Sequence, residues 1–151
     1  MGFKLPKEAR SYFKLIEQRD NKFKFLFDMY YLCLMVGLSR GKLGKLDEIE
    51  SADFLEGYPQ SYVDMAPLIT GLLINTEMER QGINAEDRTS VESLILQLID
   101  KDSNTKLSEK GIELLNSYAA GGMNIIRENV PKTSALETFL VYYHRLLNVA
   151  S

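Results

Sequence analysis

Apolar residues along the chain recur three and four positions apart and almost never alternate strictly over a long window, which is the pattern of helices with one buried face. Ala9, Tyr12, Phe13 and Ile16 form one stripe; Val91, Leu94, Ile95, Leu98 and Ile99 form a second; Leu136, Phe139, Leu140 and Tyr143 form a third. The spacing predicts helices over 7–18, 22–38, 60–81, 89–100, 107–128 and 133–148. The expected architecture is therefore all-α, a single compact domain of five to six helices with at most a very short strand ahead of the first.

Boundary residues support these spans. Thr89 with Glu92 and Ser134 with Glu137 fit the capping box, in which a hydroxyl takes a free backbone N–H and the acid three residues on returns the bond. Asn129, Val130 and Pro131 close the helix before them, because the residue ahead of a proline is pushed out of the helical region. Pro67 and Gly71 lie inside the third span, so that helix either begins near Pro67 or bends there. The glycines and Pro59 of 39–59 predict loop, with a short helical turn around 47–54.

The 22–38 span differs from the others. From Phe23 to Val36 its apolar residues cover nearly the whole circumference, so it must be surrounded. The central position in the domain is the favoured explanation; the alternative is that one side meets another subunit, which makes a homo-oligomer an expected partner.

Charge is distributed unevenly. Residues 1–45 carry ten Lys or Arg against four acids, a net of +6, whereas 46–151 carries eight against seventeen, a net of −9. The single domain, 1–151, thus divides into a basic N-terminal stretch, residues 1–45, and an acidic helical remainder, residues 46–151, and such asymmetry points to an electrostatic partner surface. The candidate nucleic-acid contacts are Lys4, Lys7, Arg10, Lys14, Arg40, Lys42 and Lys45, of which Lys7, Arg10 and Lys14 share a helical face.

The lone Cys33 lies in the most apolar stretch, where a thiol behaves as a small buried hydrophobe, and a reducing, cytoplasmic setting is expected. Residues 1–10 lack the apolar segment of a secretory signal, so the start reads as mature sequence. The longest apolar run, 25–38, includes Asp28 and falls short of the roughly 20 residues that span a bilayer, so no membrane partner is expected.

Motifs for catalysis or metal binding are incomplete. His144 stands alone without HExxH context. Asp100, Asp102 and Asn104 open like a calcium loop, but Thr105 replaces the turn glycine and Gly111 the closing glutamate. Gly37, Gly41, Lys42, Gly44 and Lys45 lack Walker spacing, and a glycine helix terminus followed by a basic loop accounts for them. Ser39, Ser61 and Ser117 have no GxSxG elbow, and Glu77/Glu79 and Glu48/Glu50 are carboxylate pairs of a kind common on surfaces. No cofactor and no enzymatic activity are expected. Ala119-Ala120-Gly121-Gly122, inside a helical pattern, is read first as a close helix crossing or a kink that needs small residues and second as a docking groove, since each glycine costs a helix about 1 kcal/mol relative to alanine.

Two resemblances bear on function. Phe3-Lys4-Leu5-Pro6-Lys7-Glu8-Ala9, a helix to Gln18, a polar turn at 19–22 and a second helix to Leu38 resemble the ribbon-helix-helix layout over about the first quarter of the chain. That resemblance implies a short basic strand that enters the DNA major groove as half of a dimer's ribbon. The apolar helix running into Gly37-Leu38-Ser39-Arg40-Gly41-Lys42, with Tyr118-Ala119-Ala120-Gly121-Gly122-Met123-Asn124-Ile125-Ile126 downstream, resembles small accessory proteins of bacterial DNA-phosphorothioation phage-defence clusters. It implies a cytoplasmic protein that works with DNA and with DNA-processing protein partners. The expected function is a non-catalytic, DNA-associated accessory or adaptor protein; the alternative is a protein-interaction subunit, homo-oligomeric or a component of a complex, with no nucleic-acid contact.

Overall fold

A computed structural model describes residues 2–20 and 26–148, so the expected beginning of the 22–38 helix lies outside the described residues. The fold is all-α: α1 (Ala9–Tyr12), α2 (Lys14–Asp20), α3 (Leu26–Arg40), α4 (Ala66–Gln81), α5 (Arg88–Leu98), α6 (Glu109–Asn129) and α7 (Leu136–Asn148), with 3-10 turns at Leu46–Glu48 and Gln60–Met65. Among the described residues there is no strand, only isolated bridges. Among the described residues seven helices stand where five to six were expected, because the first breaks at Phe13. There ψ is 1°, outside the helical range, and the ring packs edge-on to Tyr12 and Phe139.

Local chemistry sets the remaining boundaries. Pro67 has no N–H to donate back to the preceding turn, so the span from 60 runs as a 3-10 turn and α4 begins at Ala66 with the proline in its first turn. The cap of α5 is Asp87, two residues before the expected Thr89: its carboxylate accepts the Ser90 N–H at 3.2 Å and the Ser90 hydroxyl at 2.7 Å. Ser108 caps α6 by accepting Gly111 N–H at 3.1 Å, and its own hydroxyl donates to the Gln97 carbonyl, tying that cap to the end of α5. α3 closes in a Schellman motif, with Gly41 at φ 61°, Gly41 N–H on Leu38 and Lys42 N–H on Gly37.

The core is organised around α3 and α6, whose mutual contact is the most extensive in the molecule, with α4 and α7 flanking α3. The stripe of small residues on α6 is what lets them meet. A Cβ placed on Gly122 would stand 1.7 Å from the Cys33 carbonyl oxygen, and one on Gly37 would stand 1.8 Å from that of Tyr118. The backbones touch directly, as the first of the two readings of Ala119–Gly122 expected. Gly121 carries the C-terminal continuation of α3 in the same way, a Cβ there lying 1.9 Å from the Lys42 carbonyl oxygen.

The N-terminal segment completes the core rather than extending from it. Phe3 and Leu5 are fully buried, and Phe3 lies at the centre of an aromatic cluster with ring centroids 5.1 Å from Phe27, 5.3 Å from Tyr30 and 5.0 Å from Tyr58. On one edge this segment runs antiparallel to 48–55, through Phe3 N–H on Leu55, Glu50 N–H on Leu5 and Lys7 N–H on Glu48. On the other, Lys4 N–H donates to Asn116 of α6. The edges that a ribbon-helix-helix dimer would use are thus taken up within the chain.

Replacing Gly122 with alanine should destabilise the fold by about 3 kcal/mol despite the better helix propensity, because two backbones would have to separate. Gly71→Ala, in α4 with no atom within 4 Å of the added carbon, should instead stabilise by about 0.5–1 kcal/mol. Urea unfolding followed by circular dichroism reads both; similar midpoints for the two variants would contradict the backbone-contact argument.

Candidate functional site

Three of the seven basic candidates have partners within the chain. Arg10 donates from Nε and Nη2 to the two carboxylate oxygens of Glu50 at 2.9 and 3.2 Å. The Glu50 hydrogen bond, with Glu50's charge, raises the Arg10 pKa against the opposing effect of burial. Lys4 is partly buried, its Nζ 4.0 Å from Asp53. Arg40 donates from Nη2 to the Leu146 carbonyl at 2.8 Å, fastening the end of α3 to the last turn of α7. Lys7, Lys14, Lys42 and Lys45 are exposed. Lys7 and Lys45 are drawn together around Glu48, which accepts Lys7 N–H on its carbonyl and Lys45 N–H on its carboxylate.

That convergence follows from the pairing of 3–7 with 48–55. The acids Asp47, Glu48, Glu50 and Asp53 belong to the negative portion of the sequence, yet they lie alongside the basic N-terminus, where Glu50 pairs with Arg10 and Asp53 approaches Lys4. Glu48 is held below the usual carboxylate range, first by the Lys45 N–H and then by Asn124 Nδ2, with Lys45 and Arg127 adding favourable charge against the cost of burial. The cleft beside it, about 180 Å³, carries both signs, with Lys7 and Arg127 facing Glu8 and Asp47.

Two buried polar centres were not anticipated. Asn116 accepts Lys4 N–H at 3.0 Å and the Tyr30 hydroxyl at 2.8 Å, and donates to the Gly2 carbonyl at 3.2 Å, so one amide clips the N-terminal segment to α6. Glu77, expected on a surface, is completely buried between α4 and α6. It accepts from both Arg80 nitrogens at 2.7 Å, from Gln81 at 3.0 Å and from the Tyr118 hydroxyl. Burial pushes its carboxyl up, but the hydrogen bonds from Arg80, Tyr118 and Gln81 outweigh that and leave it below the ordinary range. The clue was helical phase: Glu77 falls four residues after Leu73 and eight after Ile69 on the buried stripe, with Arg80 and Gln81 one turn beyond.

Cys33 and the turn from Asp100 to Lys106 have structural partners. The Cys33 thiol is fully buried against Met123 sulfur, and burial pushes its pKa far above the ordinary thiol value, so it is not a poised nucleophile. Asp100 accepts Asp102 N–H in a tight turn, and Lys106, at φ 65°, donates its ammonium to the Lys101 carbonyl. Among the described residues no group of three His, Cys, Asp or Glu is placed to hold a metal ion. No helix among them is long and apolar enough to cross a membrane.

A groove beside α3 is apolar and open. α3 is covered by α6 on one side, but Tyr31, Leu32 and Met35 on another are only partly covered. They form the floor of a groove of about 490 Å³, walled by Leu72, Asn75 and Glu79 of α4 and by Tyr143 and Leu147 of α7. Its walls are fixed. The Tyr143 hydroxyl donates to the Leu32 carbonyl at 2.6 Å, Thr76 donates to the Leu38 carbonyl at 3.1 Å, and the Arg40 contact holds the end of α7. The carboxylate of Glu79, exposed at the rim, accepts the Asn75 amide at 3.3 Å and has no ion pair among the described residues.

Compared with known proteins, the chain matches no family model, no curated protein and no solved structure.

Glu77→Gln should cost about 2 kcal/mol near neutral pH, the scale of hydrogen bonds to a buried charge. Because folding lowers the Glu77 pKa, its contribution is complete above the unfolded value and is lost as pH falls through the folded one. The stabilities of wild type and variant should therefore converge towards low pH; a gap independent of pH would contradict the ionised, hydrogen-bonded carboxylate.

Proposed function

We propose that the chain is a non-catalytic interaction subunit that holds an amphipathic helix of a partner protein in the groove between α4 and α7. The observation that carries this reading is the uncovered apolar side of α3, exposed at the floor of a groove whose walls are already pinned by hydrogen bonds. Such a surface suits helix-in-groove recognition, in which side chains spaced three and four apart fill an apolar channel. Met35 adds a side chain that adapts its shape to what it meets. Glu79, which makes no ion pair among the described residues, favours a partner helix that presents Lys or Arg along that rim. The buried free thiol of Cys33 suits a reducing, cytoplasmic setting.

The reading as a DNA-associated accessory protein of a bacterial DNA-modification or phage-defence system draws support from Lys7, Lys14, Lys42 and Lys45, which stay exposed and free of any ion pair among the described residues. Lysines of that kind contact phosphates, and their contribution falls steeply with salt. Arg10 and Arg40, by contrast, have intramolecular partners, so truncating Arg40 should loosen the end of α7 by about 1 kcal/mol and leave DNA affinity unchanged.

Fluorescence anisotropy separates the two readings. A labelled helical peptide of Leu and Lys should bind the wild-type protein about tenfold more tightly than its Leu and Glu counterpart, a difference of about 1.4 kcal/mol. Leu72→Glu should abolish that binding although it makes the protein more acidic, which a merely electrostatic attraction would not do. Equal binding to the Leu72→Glu variant sinks the groove. Duplex DNA binding that weakens with salt and with Lys7→Ala, Lys42→Ala and Lys45→Ala combined would establish the accessory reading instead.

A further inference from the structure

The groove beside α3 has a direction, and we infer that its occupant is an amphipathic partner helix lying antiparallel to α3, with its basic residues in its N-terminal half at the Glu79 end. This specifies the partner more closely and rests on the interaction-subunit reading. Hydrogen bonds fix the sense of the three helices that frame the groove. Tyr62, in the turn that leads into α4, donates to Asp28 near the start of α3 at 2.6 Å, and Thr76, towards the end of α4, donates to the Leu38 carbonyl near the end of α3 at 3.1 Å. Tyr143 reaches the Leu32 carbonyl at 2.6 Å, and Leu146, further along α7, accepts from Arg40 at 2.8 Å. Both pairings advance together along the chain. α3, α4 and α7 therefore run in one direction, and their C-terminal ends gather where Ser39, Glu79 and Leu147 line the groove.

That end is the negative one. Each helix C-terminus carries the equivalent of about half a negative charge, and three of them lie together. Arg40 answers this field on the α7 side, where it meets the Leu146 carbonyl. On the α4 side stands Glu79, the one charged side chain among the described residues that line the groove, with no ion pair among them. At the opposite end Asp28 lies three residues ahead of the floor, its carboxylate bonded to Tyr62. An antiparallel helix brings its positive N-terminus and the Lys or Arg of its first turns to Glu79, whereas a parallel one would add a fourth negative end to three others. The chain follows the same rule where α3 is already covered: α6 crosses it in the opposite sense, Gly37 meeting Tyr118 and Gly122 meeting Cys33. The floor from Tyr31 to Ser39 is about 12 Å long, about two helical turns, so the placement of charge within those turns decides the orientation.

Two labelled peptides of Leu, Lys and Gln, identical in composition and capped at both ends, provide the test: one carries Lys in its first two turns, the other in its last two. Their affinity ratio for wild type, measured by fluorescence anisotropy and divided by the ratio for Glu79→Gln so that their own helix propensities cancel, should favour the first about fivefold. Disulfide capture reads the orientation independently of charge. Under mild oxidation Ser39→Cys, at the Glu79 end, should capture a peptide with cysteine in its first turn faster than one with cysteine in its last, the native Cys33 being buried. An absent or reversed charge preference, or faster capture of the last-turn cysteine, would overturn the inference and leave the groove in place. Failure of both peptides to bind would remove the groove reading itself, and the inference with it.

Discussion

The direct contact of backbone with backbone where α3 crosses α6 is the constraint on which the rest of the structure depends. Gly37, Gly121 and Gly122 have no side chains, so the two helices approach until carbonyl oxygens occupy the space that a Cβ would need. Glycines inside helices are intrinsically unfavourable, and what offsets them is the packing gained when two long helices lie at minimal separation. That closeness brings the loop after α3 down onto α6, where Gly44 N–H reaches the Ser117 carbonyl and Ser117 donates to the Gly44 carbonyl. The loop in turn presents 48–55 as the rail along which the N-terminal segment lies.

From this crossing the polar interior follows. Asn116 and Tyr118 stand on α6 two residues apart, facing different neighbours: one clips the N-terminal segment, the other closes over Glu77 of α4. Both are buried groups whose desolvation is offset by hydrogen bonds, and both fix the register of elements that apolar contact alone would leave free to slide. The acids and bases at the surface are arranged by the same geometry. Once 3–7 pairs with 48–55, Arg10 faces Glu50 and Lys4 approaches Asp53, so two basic residues that stand far from these acids in linear order meet them in three dimensions.

Close packing on one side of α3 has a complement on the other. With α6 pressed against the glycine face, α4 and α7 flank the helix without meeting over Tyr31, Leu32 and Met35, and the groove between them is the consequence. Its walls are held by Thr76, Tyr143 and Arg40 reaching backbone carbonyls, so it is a preformed feature of the fold.

The helical character, most element positions, the Gly41 terminus, the proline-defined ends and the close crossing at Ala119–Gly122 were legible in the linear chain. Each depends on neighbours within a turn or two, where periodicity, caps and steric limits act directly. The apolar circumference of the 22–38 span likewise announced a central helix, and α3 is one. Charge contact between residues forty and more positions apart was not legible, because nothing local says that Arg10 will lie against Glu50. Nor was the burial of Glu77 and Asn116, which look like surface residues until α6 supplies Tyr118 to one and the N-terminal segment returns to the other. The candidate groove belongs to the same class: α3 had more apolar surface than one neighbour could cover, but which side stayed open was decided only when the glycines of α6 selected the side that closed.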